Sequence, residues 1–141
     1  MKIIIYKIGT GIAKIIPAPK VDIETQIKLV PENAEYKIVD TADIPQDKDF
    51  YRALTYDLKI DIDNAKEIQK DRIRVEREKA FTDLDYQFMK ALEEGKDYSN
   101  ITKKKQALRD LPQKVDACKT LEQIKKVDQI RHDYRLSHSR Q

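Results

Sequence analysis

The chain has 141 residues, with 28 lysines and arginines against 25 aspartates and glutamates and a formal net charge of +3. That length suits one domain with two lobes, and 40% hydrophobic residues beside 38% charged ones exclude a disordered chain while leaving a broad solvated surface. The lone Cys118 excludes an internal disulfide. The apolar start Met1–Tyr6 ends at Lys7, too soon for a signal-peptide core, and no later run approaches a membrane span, so a soluble, unexported chain is expected.

Ile3, Ile4, Ile5, Tyr6 and Ile8 form a β-branched and aromatic run, separated by Gly9-Thr10-Gly11 from Ile12–Ile16. Two short strands around a glycine-containing turn predict a hairpin. A phosphate loop would need a third glycine and a following helix, and neither is present. Pro17 and Pro19 close the second strand. Asp22 is a candidate N-cap for a short helix through Leu29, with Ile23, Ile27 and Val30 on one face. Tyr36–Asp40 reads as a third strand, while Phe50–Tyr56 is ambiguous between a fourth strand and an irregular stretch.

From Asp63 to Glu94 the chain has neither glycine nor proline. Asp61, Asp63 and Asn64 are candidate N-caps, and Asn64 with Glu67 has capping-box spacing. A helix of this length is a rod of about 45 Å. Its apolar face gathers at Phe81, Leu84, Phe88 and Leu92, whereas Arg72 to Lys79 is charged. Gly95 ends it. Ser99 is the expected N-cap of a second helix, with Ile101, Lys105, Leu108 and Leu111 on one face before Pro112. The short connection makes the two helices antiparallel, so Phe81, Leu84, Phe88, Leu92, Ile101 and Leu108 are the expected hairpin core. Thr120 and Gln123 repeat the capping-box pattern ahead of Leu121, Ile124 and Val127. The expected fold is therefore α+β: residues 1–60 form a small antiparallel β lobe with a short helix, 61–127 a long helix and C-terminal helical hairpin, and 128–141 a mobile charged tail.

No pattern supports catalysis or a cofactor. Asp61-x-Asp63 opens like a calcium loop, but Ala65, Lys66 and Arg72 occupy positions that need a ligand, a glycine and a glutamate. Asp83 and Asp85 are two apart on a helix and face different directions. His132, His138 and Cys118 have no zinc spacing. The positive excess lies wholly in residues 96–141, where Asp110, Asp116, Glu122, Asp128 and Asp133 interrupt it. Such interruption fits a solvated helix better than the continuous footprint that phosphates require. Lys103, Lys104, Lys105 and Arg109 are the candidate partner-binding residues, a docking edge for an acidic partner.

Several blocks resemble a known group. Val30-Pro31, Tyr36, Ile38-Val39-Asp40 and Ala42-Asp43-Ile44-Pro45 follow the pattern VP-x-x-x-x-Y-x-IVD-x-AD-(I/L)-P. Asp61–Ile68, Asp71–Arg74, Leu84–Glu93 and Lys104–Asp110 follow in order. Over roughly residues 20–127 the chain is similar to small tail-associated proteins of tailed bacteriophages and prophages, which accompany tail-fibre and other tail components. The resemblance implies a non-enzymatic virion or assembly protein whose partner is a phage tail or tail-fibre protein, with homo-oligomers as a further arrangement. It implies a place in the host cytoplasm during assembly or in the virion tail, and it carries over no catalytic residue, metal or cofactor. Members often interrupt the long helix with proline; here Arg77-Glu78-Lys79-Ala80 leaves it unbroken. The alternative reading is a small regulatory nucleic-acid-binding protein using the basic last third. Neither nucleic acid nor membrane is the expected partner.

Overall fold

The computed structural model describes residues 1–127, which form two compact units, Met1–Asp61 and a second that begins at Ile62. The tail expected over 128–141, with His132 and His138, lies outside the described residues.

In the first unit, β1 (Lys2–Ile8) and β2 (Gly11–Ile15) pair antiparallel around a turn in which Gly9 takes φ +54°, the left-handed region that glycine enters without a Cβ penalty. β3 (Tyr36–Asp40) pairs antiparallel with the other edge of β1, giving the order β2-β1-β3. Alternation along the strands then sorts side chains between faces. Ile3, Ile5 and Val39 point to one face and are buried with Ile44 and Leu54, with Ile12, Tyr56, Leu58 and Ile60 packed around them. Ile4 is fully buried on the opposite face, in register with Ile15 and Ile38. Burial of each such side chain contributes about 1.5–3 kcal/mol, which a sheet this small needs.

The short helix α1 (Ile23–Gln26) lies against β1 and opens as expected at Asp22, whose Oδ1 accepts the Glu24 amide at 3.2 Å. It tightens into a 3-10 turn over Ile27–Leu29. The ambiguous stretch forms no further strand of the sheet. Lys48–Ala53 is a 3-10 segment kinked at Phe50 (φ −117°, ψ 27°), a distortion that accompanies the full burial of Phe50 and Ala53. Beyond it Leu54 and Ile60 form one isolated bridge.

The second unit is helical. α2 (Ile62–Glu93) is one continuous helix, about 48 Å long at 1.5 Å per residue. It begins one residue after Asp61, so Asn64 already stands inside the first turn and not at the cap. Its end follows the Schellman pattern: Gly95 has φ +63°, its amide donates to the Leu92 carbonyl, and the Lys96 amide donates to that of Ala91 at 2.8 Å. α3 (Ser99–Asp116) returns antiparallel. Ser99 is its first helical residue and not its cap; Asp97 does the capping, its carboxylate accepting both the Ser99 amide and hydroxyl at 2.9 Å.

α3 also corrects the expected boundary, running through Pro112 to Asp116. A proline inside a helix forfeits the bond to the carbonyl four residues back, here that of Leu108. Arg77 of α2 donates to that carbonyl and to its neighbour at Arg109, each at 3.5 Å. The longer α3 reaches back toward the start of α2: Lys66 donates to the Asp116 carbonyl at 3.1 Å and Lys70 bridges the Asp116 carboxylate. A final helix, α4, covers the described residues 121–127. Half of its capping box forms, the Gln123 amide donating to Thr120 Oγ1, while Gln123 Oε1 accepts the amide of Lys119, one residue ahead of the cap. Val115, Cys118, Ile124 and Val127 are buried there.

Candidate functional site

The expected hairpin core is partly rearranged. Leu84 and Leu108 are buried, and Phe81, Phe88 and Ile101 are half-buried. Leu92 is 53% exposed, and Ala91 takes the inward position. A rotation of about 100° per residue separates the two. Close to the turn at Gly95, the small Ala91 side chain faces inward, and Phe88 closes that end edge-on against Tyr98 at 4.8 Å between centroids. Gln69 is buried as well, and its Nε2 makes no hydrogen bond among the described residues.

The four basic candidates do not converge. Lys103 and Lys105 lie about 200° apart around α3, so Lys103 is exposed while Lys105 is half-buried against α2. Lys105 bridges Asp85, with its Nζ 5.4 Å from the Phe88 ring. Lys104 is half-buried and engaged. Arg109 lies 5.9 Å from the centroid of the Phe81 ring, as does Arg77, and donates to Gln106 Oε1 at 3.4 Å. Gln106 in turn donates to Asp110. Two of the four charges are thus spent on helix packing within the hairpin. At the opposite end, the hydrogen bonds that Lys70 donates first to Asp116 and then to Glu67 raise its pKa above that of an ordinary lysine.

Chemistry-bearing groups stay dispersed. Among the described residues no three histidine, cysteine or acidic side chains come together as metal ligands, and no helix is long and apolar enough to cross a membrane. Cys118 is buried, its thiol donating to the Lys114 carbonyl at 3.2 Å.

What the surface does offer is exposed apolar side chains in two places. On the sheet, Tyr36 and Ile38 are 43% and 40% exposed and stand in register with Tyr6 and Ile4, next to the exposed Ile8 on the same face. Both outer strands keep one edge without a strand partner among the described residues. On α2, Val75, Tyr86 and Met89 are exposed on the side away from Leu84 and Ala91, and Leu92 is exposed about 100° round the helix from Ala91. Sequence reasoning followed the inward face and passed over this second group, whose signal in the sequence is weak: Val75, Tyr86 and Met89 share a side at eleven and three residues, with the polar Lys79 and Thr82 between them.

No protein-family model, no curated protein and no solved structure matches the chain.

Proposed function

We propose that this chain is a non-enzymatic tail-associated structural or assembly protein of a bacteriophage, docking through its sheet on a larger tail or tail-fibre component. The observation that carries the reading is the apolar row Ile8, Tyr36 and Ile38 on one sheet face beside an open β3 edge. An open edge gives main-chain hydrogen bonds to an incoming strand, and alternate side chains supply the specificity. The similarity of the blocks from Val30 to Asp110 to phage tail-associated proteins supplies the setting, the host cytoplasm during assembly or the virion itself. A nucleic-acid reading is not favoured, because Lys105 and Arg109 are engaged within the hairpin.

Co-expression with the tail and tail-fibre proteins of the same genome tests the proposal. A stable co-purifying complex that is lost in the Tyr36→Glu/Ile38→Glu variant is the expected result. Absence of any complex with those proteins, or a complex indifferent to both substitutions, overturns it.

A further inference from the structure

We propose that the partner strand adds antiparallel to the β3 edge alone and carries an acidic residue between two apolar ones. The apolar pair then lies on Tyr36 and Ile38 while the carboxylate meets Lys37. This inference rests on the sheet-docking reading and names the edge, the register and the chemistry of what docks there.

The hydrogen-bond phase of the sheet fixes which backbone groups can take a new strand. The Lys7 amide donates to the Glu35 carbonyl and the Thr41 amide to that of Met1, so Lys37 and Val39 also bond inward to β1. Tyr36 and Ile38 therefore turn their amides and carbonyls outward, and these are the residues of β3 whose apolar side chains are exposed. On β2 the same phase turns Ile12 and Lys14 outward.

Charge separates the two edges. Lys14, Ile5 and Lys37 stand in one row across the core face. The Lys14 ammonium is buried on the Tyr51 ring without a hydrogen-bond partner. A strand added at β2 would close further over an ammonium that has no carboxylate beside it, and an inward charge of this kind guards an edge against pairing. Lys37 differs: it is only half-buried, and its ammonium keeps solvent contact 4.4 Å from the Tyr56 ring. It takes part in no ion pair of the described residues. Glu35, two residues away on the same face, is bridged to Lys7 at 2.6 Å, and Asp57 also acts on Lys7. In antiparallel addition Lys37 occupies a non-hydrogen-bonded pair, where facing side chains come closest. An acidic residue there is attracted and a basic one repelled.

The test uses the purified, isotope-labelled full chain and the peptide acetyl-Thr-Val-Glu-Val-Thr-amide at millimolar concentration. The expected result is movement of the Tyr36 and Ile38 amide resonances, with those of Ile12 and Lys14 unmoved. The same peptide with lysine in place of glutamate should bind about fivefold more weakly. Lys37→Glu should reverse that order, and a preserved amide spectrum elsewhere identifies the variant as folded. N-methylation of both peptide valines removes the donors that face Tyr36 and Ile38, and should abolish binding to the wild-type chain. Four results would each overturn the proposal: no movement with either peptide, movement at Ile12 and Lys14 instead, equal binding of the two peptides, or Tyr36 and Ile38 resonances that shift with chain concentration alone, as a second copy on the edge would cause. A tail-protein complex lost in Tyr36→Glu/Ile38→Glu yet indifferent to Lys37→Glu would overturn the acidic register and leave sheet docking standing. Peptide addition without any tail-protein complex would support the edge assignment and overturn the proposed function.

Discussion

Arg77 of α2 donates its Nη1 to the carbonyl oxygen of Leu108 at 3.5 Å, the acceptor that Pro112 leaves without its helical donor. The guanidinium also reaches the Arg109 carbonyl and rests against Phe81. One side chain on the neighbouring helix thereby supports the point where α3 would otherwise break.

Arg77→Met should cost about 1 kcal/mol of stability in urea denaturation, the worth of a long charge-assisted bond to a partly buried carbonyl. In the Pro112→Ala background the same substitution should cost much less, because Leu108 recovers a backbone donor. Equal costs in the two backgrounds would show that Arg77 acts by other means.

The rearranged core makes a contrast between two leucines of one helix. Leu84 is buried and Leu92 is exposed. Leu84→Ala should destabilise by about 2–5 kcal/mol, and Leu92→Ala should stay within about 0.5 kcal/mol. Matched denaturation curves for the two variants check this.

Lys14 poses a different case. Its Nζ is buried without a hydrogen-bond partner and lies 3.0 Å from the centroid of the Tyr51 ring. The ring face is then the ammonium's electrostatic partner. Tyr51→Leu should cost about 2 kcal/mol by leaving the charge without that face, while Lys14→Met should be near neutral, since it removes the charge together with its desolvation cost. Thermal melts of both variants separate the effects.

Capping at Asp97 predicts a response to acid. The Ser99 amide and then its hydroxyl hold the Asp97 carboxyl below its ordinary pKa in the folded chain. A depressed folded value means stabilisation that is full above the unfolded carboxylate pKa of about 3.9 and is lost as pH falls through the folded value. The gap in denaturation midpoint between the wild type and Asp97→Ala should therefore be constant near neutrality and close in acid. Lys70 gives the mirror image. Its raised pKa makes its contribution full below the unfolded lysine pKa of about 10.4 and lost as pH climbs through the folded value. The gap to Lys70→Met should close only in alkali.

Local signals carried the parts of this fold that a few adjacent residues settle. Gly9 between two β-branched runs, Gly95 after a long unbroken helix, and Thr120 with Gln123 each define their turn or cap by backbone freedom or one side-chain bond within reach. The alternation of Ile3, Ile4 and Ile5 is likewise a property of the strand itself. Tertiary structure decided the rest. Nothing near Pro112 in the chain announces that Arg77, on another helix, will receive the freed carbonyl. Ala91 in place of Leu92 as the inward residue depends on how α2 and α3 meet at the Gly95 turn. The run Lys103–Lys105 looked like one basic edge in one dimension, yet helical rotation separates its members and Asp85 draws Lys105 toward α2. Tyr86 and Met89 became a candidate surface only once the opposite side of α2 was covered, because exposure belongs to the packed molecule and not to a residue's place in the chain.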